Sequence, residues 1–372
     1  MQRSNPKYQQ LFEQIEGSIR SGQYLPGQKL PSEAALEADF GASRITVVRA
    51  LRELQQRGLV HRRAGSGTYV AETGSTSSSL LFGLLIPNLG EAEIFAPICE
   101  SITEFLQERK HAVLWGNMRP GAQTREKQSV ELCDQYIDKR VAGVFFAPLE
   151  WTPIDDRINR TVVTALDRAG IPIVLLDRSF MPYRKRSHHD LVSIDHRQAG
   201  YMVTNHLLGL GCRRIAFVSL AHSAVTIEAR VAGYQEALLR AGLPVEESLV
   251  QQINSDNAQR IRELMGTLKP DAIACSNDRT ASYVMRDLIS LGYRIPDDVR
   301  VIGIDDLQYA KLLPVPLTTI HQPCHEIGIA AGAAMLQRLT MPDLPPREIL
   351  LECSIVVRDS CGAQRQDFEA SS

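Results

Sequence analysis

The sequence predicts an α/β protein in which a small helical unit with a hairpin precedes a larger, doubly wound α/β domain of two lobes. Three observations predict this arrangement. The stretch TGSTSSS, residues 73–79, has no side chain that could support a core, which is typical of a linker. Before it, apolar residues recur at helical spacing. After it, short runs of Val, Ile, Leu and Phe alternate with helical segments, which is typical of parallel strands joined by helices.

Three helices and a hairpin are expected in the first unit. A helix over residues 6–21 has four apolar residues at helical spacing: Leu11, Phe12, Ile15 and Ile19. Ser32 and Ser43 are of the type that caps helices, so each is expected to begin one. The third helix is expected to end at Arg57, because Gly58 follows it. The strands LVHRR and TYVA then enclose a short turn, which predicts a hairpin.

Seven apolar runs predict the strands of the larger domain. They are LLFGLLIPN, AVLWGN, VAGVFFAP, IPIVLLDR, RIAFVSL, AIACSND and VRVIGIDD. Polar residues end most of them: Asn88, Asn117, Asp177, Arg178, Ser219, Asn277, Asp278, Asp305 and Asp306. Ligands of open α/β sheets bind beyond the carboxyl ends of the strands, so these side chains are expected to line a polar cleft. A domain of about 280 residues exceeds a single core, which predicts two lobes.

The composition is typical of a soluble globular protein, with 44% hydrophobic and 23% charged residues. No apolar run approaches the roughly 20 residues that span a bilayer, and no apolar stretch of signal-peptide type begins the sequence. We therefore expect a cytoplasmic protein without a membrane partner. The seven cysteines are an odd number without a CxxC pair, which favours reduced thiols over disulfides.

Positive charge is concentrated in the first unit. Residues 1–71 hold ten Lys and Arg against six Asp and Glu, a net charge of +4. The whole chain has a net charge of −2, so the remainder has −6. A basic unit joined to an acidic body indicates a polyanion partner for the first unit alone.

The third predicted helix has an apolar face and a basic face. At about 100° per residue, one arc holds Val47, Ala50, Leu51 and Leu54, and another holds Arg44, Ile45, Val48, Arg49 and Arg52. A solvated face with paired charges is the simplest alternative, but only Glu53 is expected to pair here. The pattern therefore predicts a helix in the major groove of DNA, with Arg62 and Arg63 extending the basic surface. We expect Ile45 and Val48 to contact thymine methyl groups, or Val48 to pack against a neighbouring element.

The first unit resembles the winged helix-turn-helix of the GntR regulators. The similar strings are PKYQQL at 6–11, GQYLPGQKLPSE at 22–33, SRITV at 43–47, GLV at 58–60 and GSGTYV at 65–70. Ala34 and Val48 depart from the family's usual pattern. The resemblance implies that the third helix contacts DNA and that the wing tip approaches the minor groove. The full predicted DNA-binding set is Ser32, Ser43, Arg44, Ile45, Thr46, Val48, Arg49, Arg52, Arg62, Gly65 and Gly67.

The second domain resembles the LacI/GalR regulators and the periplasmic sugar-binding proteins. The similar strings include GLLIPN at 83–88, GIPIVLLDR at 170–178, RVAGYQEAL at 230–238, PDAIACSND at 270–278 and IPDDVRVIGIDD at 295–306. The resemblance implies that Phe95 stacks on the ring of a small-molecule effector. It further implies effector contacts from Asp177, Arg178, Arg230, Asn277, Asp278 and Asp305.

The chemistry of these side chains also fits a sugar, because charged groups bind hydroxyl pairs and aromatic rings cover apolar ring faces. Capping of helices at strand-to-helix turns is the alternative role for Asp278 and Asp305. A nucleobase remains open as an effector, because Phe95 and Arg230 would suit one too.

The expected bounds are residues 1–71 for the winged helix-turn-helix, 72–79 for the linker, 80–360 for the effector domain and 361–372 for a tail. Within the effector domain, lobe 1 is expected over about 80–190 and 322–340. Lobe 2 is expected over about 191–321 and 341–360.

Together the two resemblances imply a ligand-responsive transcription regulator, similar to the arabinose-responsive regulators of sugar use. We expect a homodimeric repressor of carbohydrate-utilisation genes that a small sugar releases from a double-stranded DNA operator. The alternatives are a regulator responding to a nucleobase or nucleoside, and a solute-binding protein for sugar transport. No nucleophile motif or phosphate-binding loop indicates an enzyme, and no cofactor or metal is expected. His188-His189-Asp190 and His321-x-x-Cys324-His325 are expected to have structural roles.

Overall fold

The computed structural model of the protein describes residues 7–20, 23–25, 27–56, 59–63, 66–70, 79–86, 93–116, 124–149, 153–181, 185–221, 226–254 and 258–363. The chain divides into two units, Met1–Ser79 and Leu80–Ser372. Gly65, Asn88, Asn117, most of the expected linker and most of the expected tail lie outside the described residues.

The first unit has the elements that its sequence predicts, in the predicted order. They are α1 (Lys7–Arg20), α2 (Glu33–Phe40), α3 (Arg44–Gln56), β1 (Val60–Arg63) and β2 (Gly67–Val70), with β1 and β2 antiparallel. The core of this unit forms where the apolar faces of the helices meet: Leu11, Phe12, Ile15 and Ile19 of α1 with Val47, Ala50, Leu51 and Leu54 of α3. Ser32 caps α2 as expected, since its hydroxyl accepts a hydrogen bond from the Ala35 amide.

The second unit consists of two six-stranded sheets with helices between the strands. The first sheet has the order β13-β7-β6-β5-β3-β4 and the second the order β14-β12-β11-β10-β8-β9. The first sheet contains β3 (Leu81–Leu85), β4 (Ala112–Trp115), β5 (Gly143–Phe146), β6 (Ile173–Leu176), β7 (Asp190–Ile194) and β13 (Glu348–Leu351), all parallel. The second contains β8 (Ile215–Leu220), β9 (Val250–Ile253), β10 (Ala272–Cys275), β11 (Arg300–Asp305), β12 (Thr318–His321) and β14 (Ser354–Val356), of which only β14 is antiparallel.

Eight α-helices lie between these strands in the described part of the second unit. They are α4 (Phe95–Gln107), α5 (Arg125–Asp138), α6 (Pro153–Arg168), α7 (His196–Gly209), α8 (Thr226–Arg240), α9 (Ala258–Glu263), α10 (Asp278–Ser290) and α11 (Cys324–Thr340). The central strands are buried on both faces, so their apolar runs do not alternate. The predicted doubly wound α/β fold is confirmed.

The expected lobe bounds need two corrections. β7 pairs in parallel with β6, so the chain stays in the first lobe beyond residue 190 and leaves it only after Ile194. β13 pairs in parallel with β7, so residues 348–351 belong to the first lobe, although they were expected in the second. The physical reason is that β7 and β13 complete the edge of the first sheet, and this pairing partner is not visible in the local sequence.

Candidate DNA-binding surface and ligand cleft

The basic face of α3 lies at the surface of the first unit. The Arg44 side chain is 77% exposed and Ile45 is 82% exposed, whereas Val47 on the opposite arc is fully buried. Arg49 and Arg52 are exposed and Val48 is half-buried. Two apolar side chains, Ile45 and Val48, are therefore held among cationic ones. This arrangement suits a surface that meets phosphates and base edges together.

Glu33 is a partner that the sequence pattern did not reveal. Its carboxylate, at the start of α2, lies 3.6 Å from Nε of Arg44 and forms an ion pair with Arg62 of β1. The expectation that only Glu53 pairs with the basic face is therefore wrong. The reason is that the packing of α2 against α3 brings in an acid from outside the helix, and Glu33 thereby holds two predicted DNA-contacting arginines.

Other predicted residues of this surface are also held by neighbours. The guanidinium of Arg49 lies 4.0 Å from the centre of the Tyr8 ring on α1. The hydroxyls of Ser43 and Thr46 are 2.9 Å apart at the start of α3. Gly67 in the wing has φ +125°, and a Cβ there would meet the Lys29 side chain at 2.7 Å, so only glycine fits without rearrangement.

Several predicted effector contacts converge where strands of the two lobes end. Asp177 and Arg178 follow β6 of the first lobe, Asp305 ends β11 of the second, and Arg230 lies on α8. Asp177 and Asp305 adopt positive φ angles of 65° and 131°. Non-glycine residues keep such strained backbone conformations where the surrounding structure holds them in place, and these positions cluster at functional sites.

Arg230 is the centre of this group. It is only 4% exposed, and Nη1 donates to the carbonyl oxygen of Ser276. Nε and Nη2 lie 3.3 and 3.2 Å from Nδ1 of His196, and Nη2 lies 3.8 Å from the Asp305 carboxylate. A guanidinium has five N–H groups. Among the described residues, these hydrogen bonds leave one N–H on each terminal nitrogen of Arg230 without a hydrogen-bond partner.

The two carboxylates beside Arg230 are electrostatically different. Burial raises the pKa of Asp305 to about 7, although Arg230 and the amide of Gln322, 2.6 Å away, act against this shift. Burial also acts to raise the pKa of Asp177. The hydrogen bond from His196, with the charges of Arg178 and Arg230, outweighs burial and holds that pKa well below its ordinary value. Asp177 is therefore an anion, whereas the Asp305 carboxyl gains or loses its proton near neutral pH.

Asn277 and Asp278 have structural partners. Asn277 caps α10, because its Oδ1 accepts the Thr280 amide at 2.8 Å. Both carboxylate oxygens of the fully buried Asp278 accept hydrogen bonds, one from the Thr319 hydroxyl at 2.5 Å and one from the Leu307 amide at 2.9 Å. The capping role considered for Asp278 thus falls to its neighbour. Asp278 instead links the start of α10 to β12 and to the segment after β11 through these two hydrogen bonds.

Phe95 begins α4 and is only 1% exposed, within the core of the second unit. The Arg178 guanidinium lies 5.8 Å from its ring centre. The burial of Phe95 therefore does not support the expected stacking of its ring on an effector. Its ring instead lies near the guanidinium of Arg178, a charged residue of the cleft.

Sequence reasoning missed three residues around this site. His196 lies between Asp177 and Arg230, and Gln322 contacts Asp305. Glu93 precedes α4: burial raises its pKa, while the charge of Arg279 and the hydroxyl of Tyr309 act against the shift. The available signal was position, because His196 lies just after the end of a strand, as Asp177 and Arg178 do.

The stretches considered for metals have other partners. Asp190 is buried and accepts hydrogen bonds from Arg338 and Arg347, and His321 lies 3.0 Å from Asp306. Within the described part of the chain, no group of three or more His, Cys, Asp or Glu side chains is placed to hold a metal ion. No helix there is long and apolar enough to cross a membrane.

Comparison with known proteins assigns both parts of the chain. Residues 7–70 match the family described as bacterial regulatory proteins of the gntR family, and residues 204–361 match the periplasmic binding protein-like domain. An arabinose metabolism transcriptional repressor from Geobacillus stearothermophilus is 28% identical, with 95% of this chain and 97% of that protein aligned. The regulator CelR from Thermobifida fusca is 29% identical over 86% of this chain and 89% of its own.

A solved structure of the transcriptional regulator CelR in complex with cellobiose is also similar. It has a TM-score of 0.65 and 26% identity, and it covers 86% of this chain and 91% of that one. A GntR-type DNA-binding domain joined to a periplasmic-binding-protein-like domain defines a class of ligand-responsive transcription regulators. The chain is a DNA-binding transcription regulator of this composition.

Proposed function

We propose that the protein represses carbohydrate-utilisation genes in the cytoplasm and that a small neutral sugar releases it from its double-stranded DNA operator. The observation that supports this most is the setting of Arg230. Two of its N–H groups are unused among the described residues, and it lies buried between the acids that follow β6 and end β11. Carboxylates accept from sugar hydroxyls and guanidinium groups donate to them, so this mixture binds hydroxyl pairs.

The balance of charge favours a neutral effector. Asp177 is ionised and Asp305 is partly ionised opposite Arg178 and Arg230, so only a small positive charge remains there. A phosphate group, with a charge of about −2, would not be balanced by it. A nucleobase is the second candidate. The buried Phe95 ring offers neither ligand a free stacking face. The hydrogen-bonding groups around Arg230 therefore carry the preference for a sugar. A transport role would leave the basic surface of α3 without a function.

Two proteins similar to this chain have names that mention sugars. One is named a repressor of arabinose metabolism, and CelR has been solved in complex with cellobiose. Arabinose and cellobiose are therefore the first probes for this chain, followed by other monosaccharides, sugar phosphates and nucleobases. A ligand at 100 times its Kd adds about 2.7 kcal/mol to stability, which a thermal shift detects readily.

The test measures sugar binding and DNA binding on the same full-length protein. Calorimetry with the sugar that shifts the melting temperature is compared for wild type, Arg230→Ala and Asp305→Ala. Arg294→Ala is the control, because Arg294 is exposed in the same lobe and, among the described residues, its ion pairs are with acids of its own turn. We expect both cleft variants to lose sugar binding and to keep operator binding in gel shifts. We expect the sugar to lower operator affinity of wild type by about 5–150-fold.

Two results would contradict the proposal. Wild-type affinity for the sugar in both cleft variants would mean that the cleft is misplaced. Selective binding of a nucleobase, with no response to any sugar, would favour the alternative regulator.

A further inference from the structure

His196 joins the two lobes at the place where the chain first crosses between them. It is buried at the start of α7, directly after β7 and the helix cap Asp195. One ring nitrogen, Nδ1, faces Arg230 of the second lobe. The other, Nε2, faces Asp177 of the first lobe, 3.1 Å from its carbonyl oxygen and 3.3 Å from its carboxylate.

The partners of His196 determine where its proton lies. Arginine can only donate, so Nδ1 must accept and has no proton. The carbonyl and carboxylate oxygens of Asp177 can only accept, so Nε2 must donate. Ser193, whose hydroxyl lies 3.3 Å from Nε2, already donates to the same carbonyl at 2.6 Å and can therefore accept from the ring. Only the neutral imidazole with the proton on Nε2 satisfies all these contacts.

Protonation of Nδ1 would break the arrangement. The ring would then present an N–H to a guanidinium and add a positive charge beside it and at a helix N-terminus. Asp177 is the group that opposes this effect. The charged or titratable groups around the network are Glu93, Asp177, Arg178, Asp195, Arg230, Asp305, Cys324 and Cys353.

We propose that neutral His196 is a positioning residue of the effector cleft, which holds Arg230 through Nδ1 and ties it to Asp177 of the other lobe through Nε2. This inference rests on the proposed function, because Arg230 is the predicted effector contact. It implies that an acceptor at the Nδ1 position, rather than the ring itself, is what the site requires.

Two isosteric variants separate these roles. In His196→Asn the amide oxygen replaces Nδ1 and can accept a hydrogen bond from Arg230. In His196→Gln the amide nitrogen replaces Nε2, so this variant preserves only the contacts with Asp177. We expect His196→Asn to bind arabinose, or the sugar identified by the screen, within about threefold of wild type at about pH 7.5. We expect His196→Gln to bind it at least about tenfold more weakly, because a charge-assisted hydrogen bond is lost.

The contrast between the two amides provides a readout that a purely space-filling role would not give, because each amide replaces a different ring nitrogen. Equal weakening of the two variants would overturn the inference.

A sugar-free measurement keeps this inference separate from the proposed function. Long-range ¹H–¹⁵N spectra of the full-length protein labelled at histidine distinguish protonated from unprotonated ring nitrogens, and His196→Asn assigns the signal by its loss. We expect an unprotonated Nδ1 and a protonated Nε2 at neutral pH. The opposite tautomer would refute the role of His196 whether or not a sugar binds. A wild type that binds no sugar refutes the proposed function alone.

Discussion

Arg44 is the residue on which the proposed DNA contact depends most directly. It begins α3 with an exposed side chain, and Glu33 orients its guanidinium from the neighbouring helix. An arginine that is bidentate to guanine contributes about 1–3 kcal/mol of discrimination. We expect Arg44→Ala to lose that discrimination in gel shifts with operator and random DNA at fixed salt.

The control for this prediction is Arg260→Ala, which removes an exposed arginine from α9 in the other unit. It is expected to bind operator like wild type. If the ratio of affinities for operator and random DNA is the same for Arg44→Ala as for wild type, the assignment of Arg44 to a base contact is wrong.

The sequence predicted the placement of single residues where one element determines it. Arg44, Ile45 and Arg52 follow from the period of α3, because a helix fixes which residues share a face. Asp177 and Asp305 follow from the ends of strands. Glu33 and His196 were missed because their roles depend on partners that are distant along the chain, Arg62 and Arg230. No local period reveals such pairs.

At the scale of elements, the close contact of α7 and α8 positions Arg230. An ideal Cβ on Gly200 of α7 would lie 2.0 Å from the Arg230 carbonyl oxygen, and one on Gly233 of α8 would lie 1.9 Å from the Arg197 carbonyl oxygen. The two backbones touch at these glycines. Any side chain there must separate the helices.

We therefore expect Gly200→Ala to lower the free energy of unfolding by about 1–3 kcal/mol, the usual cost of overpacking. It should also weaken sugar binding, because α8 moves with Arg230. Urea unfolding and calorimetry measure the two effects. Gly209→Ala is the matched control on the same helix, since no atom lies within 4 Å of its added Cβ. There, stability should stay unchanged or rise by up to about 1 kcal/mol. Equal stabilities for the two variants would contradict the tight contact.

Seven of the twelve strands described in the second unit follow predicted runs. The missed strands each contain polar residues and lie at or next to a sheet edge: β7, β9, β12, β13 and β14. The central strands β5, β6 and β10 are buried on both faces, so their sequences are continuous apolar runs. β13 and β14 are short strands at sheet edges with exposed residues, so their sequences lack such runs. The lobe bounds were wrong for the same reason, because edge pairing determines which lobe these segments join.

For the whole molecule, the proposal requires two copies of the chain. One winged helix offers few contacts, and regulators of this kind bind two-fold sites as dimers. The first helix of the first lobe, around residues 97–109, is the expected contact. Trp115 beside it is partly exposed, with Nε1 donating to the Thr103 hydroxyl at 3.2 Å. An apolar ring at an open sheet edge beside a helix is a suitable anchor for an interface.

We expect light scattering of the full-length protein at micromolar concentration to give about twice the chain mass of 41.3 kDa. Trp115→Glu should give the mass of one chain, because a charge in an apolar interface has no partner. It should also weaken operator binding and reduce the salt dependence of that binding, since one module neutralises fewer phosphates than two. Leu239→Glu is the control, because Leu239 is exposed on α8 in the second lobe. A wild-type monomer, with and without DNA, would contradict the dimer. A monomer from Leu239→Glu but not from Trp115→Glu would place the interface on the second lobe instead.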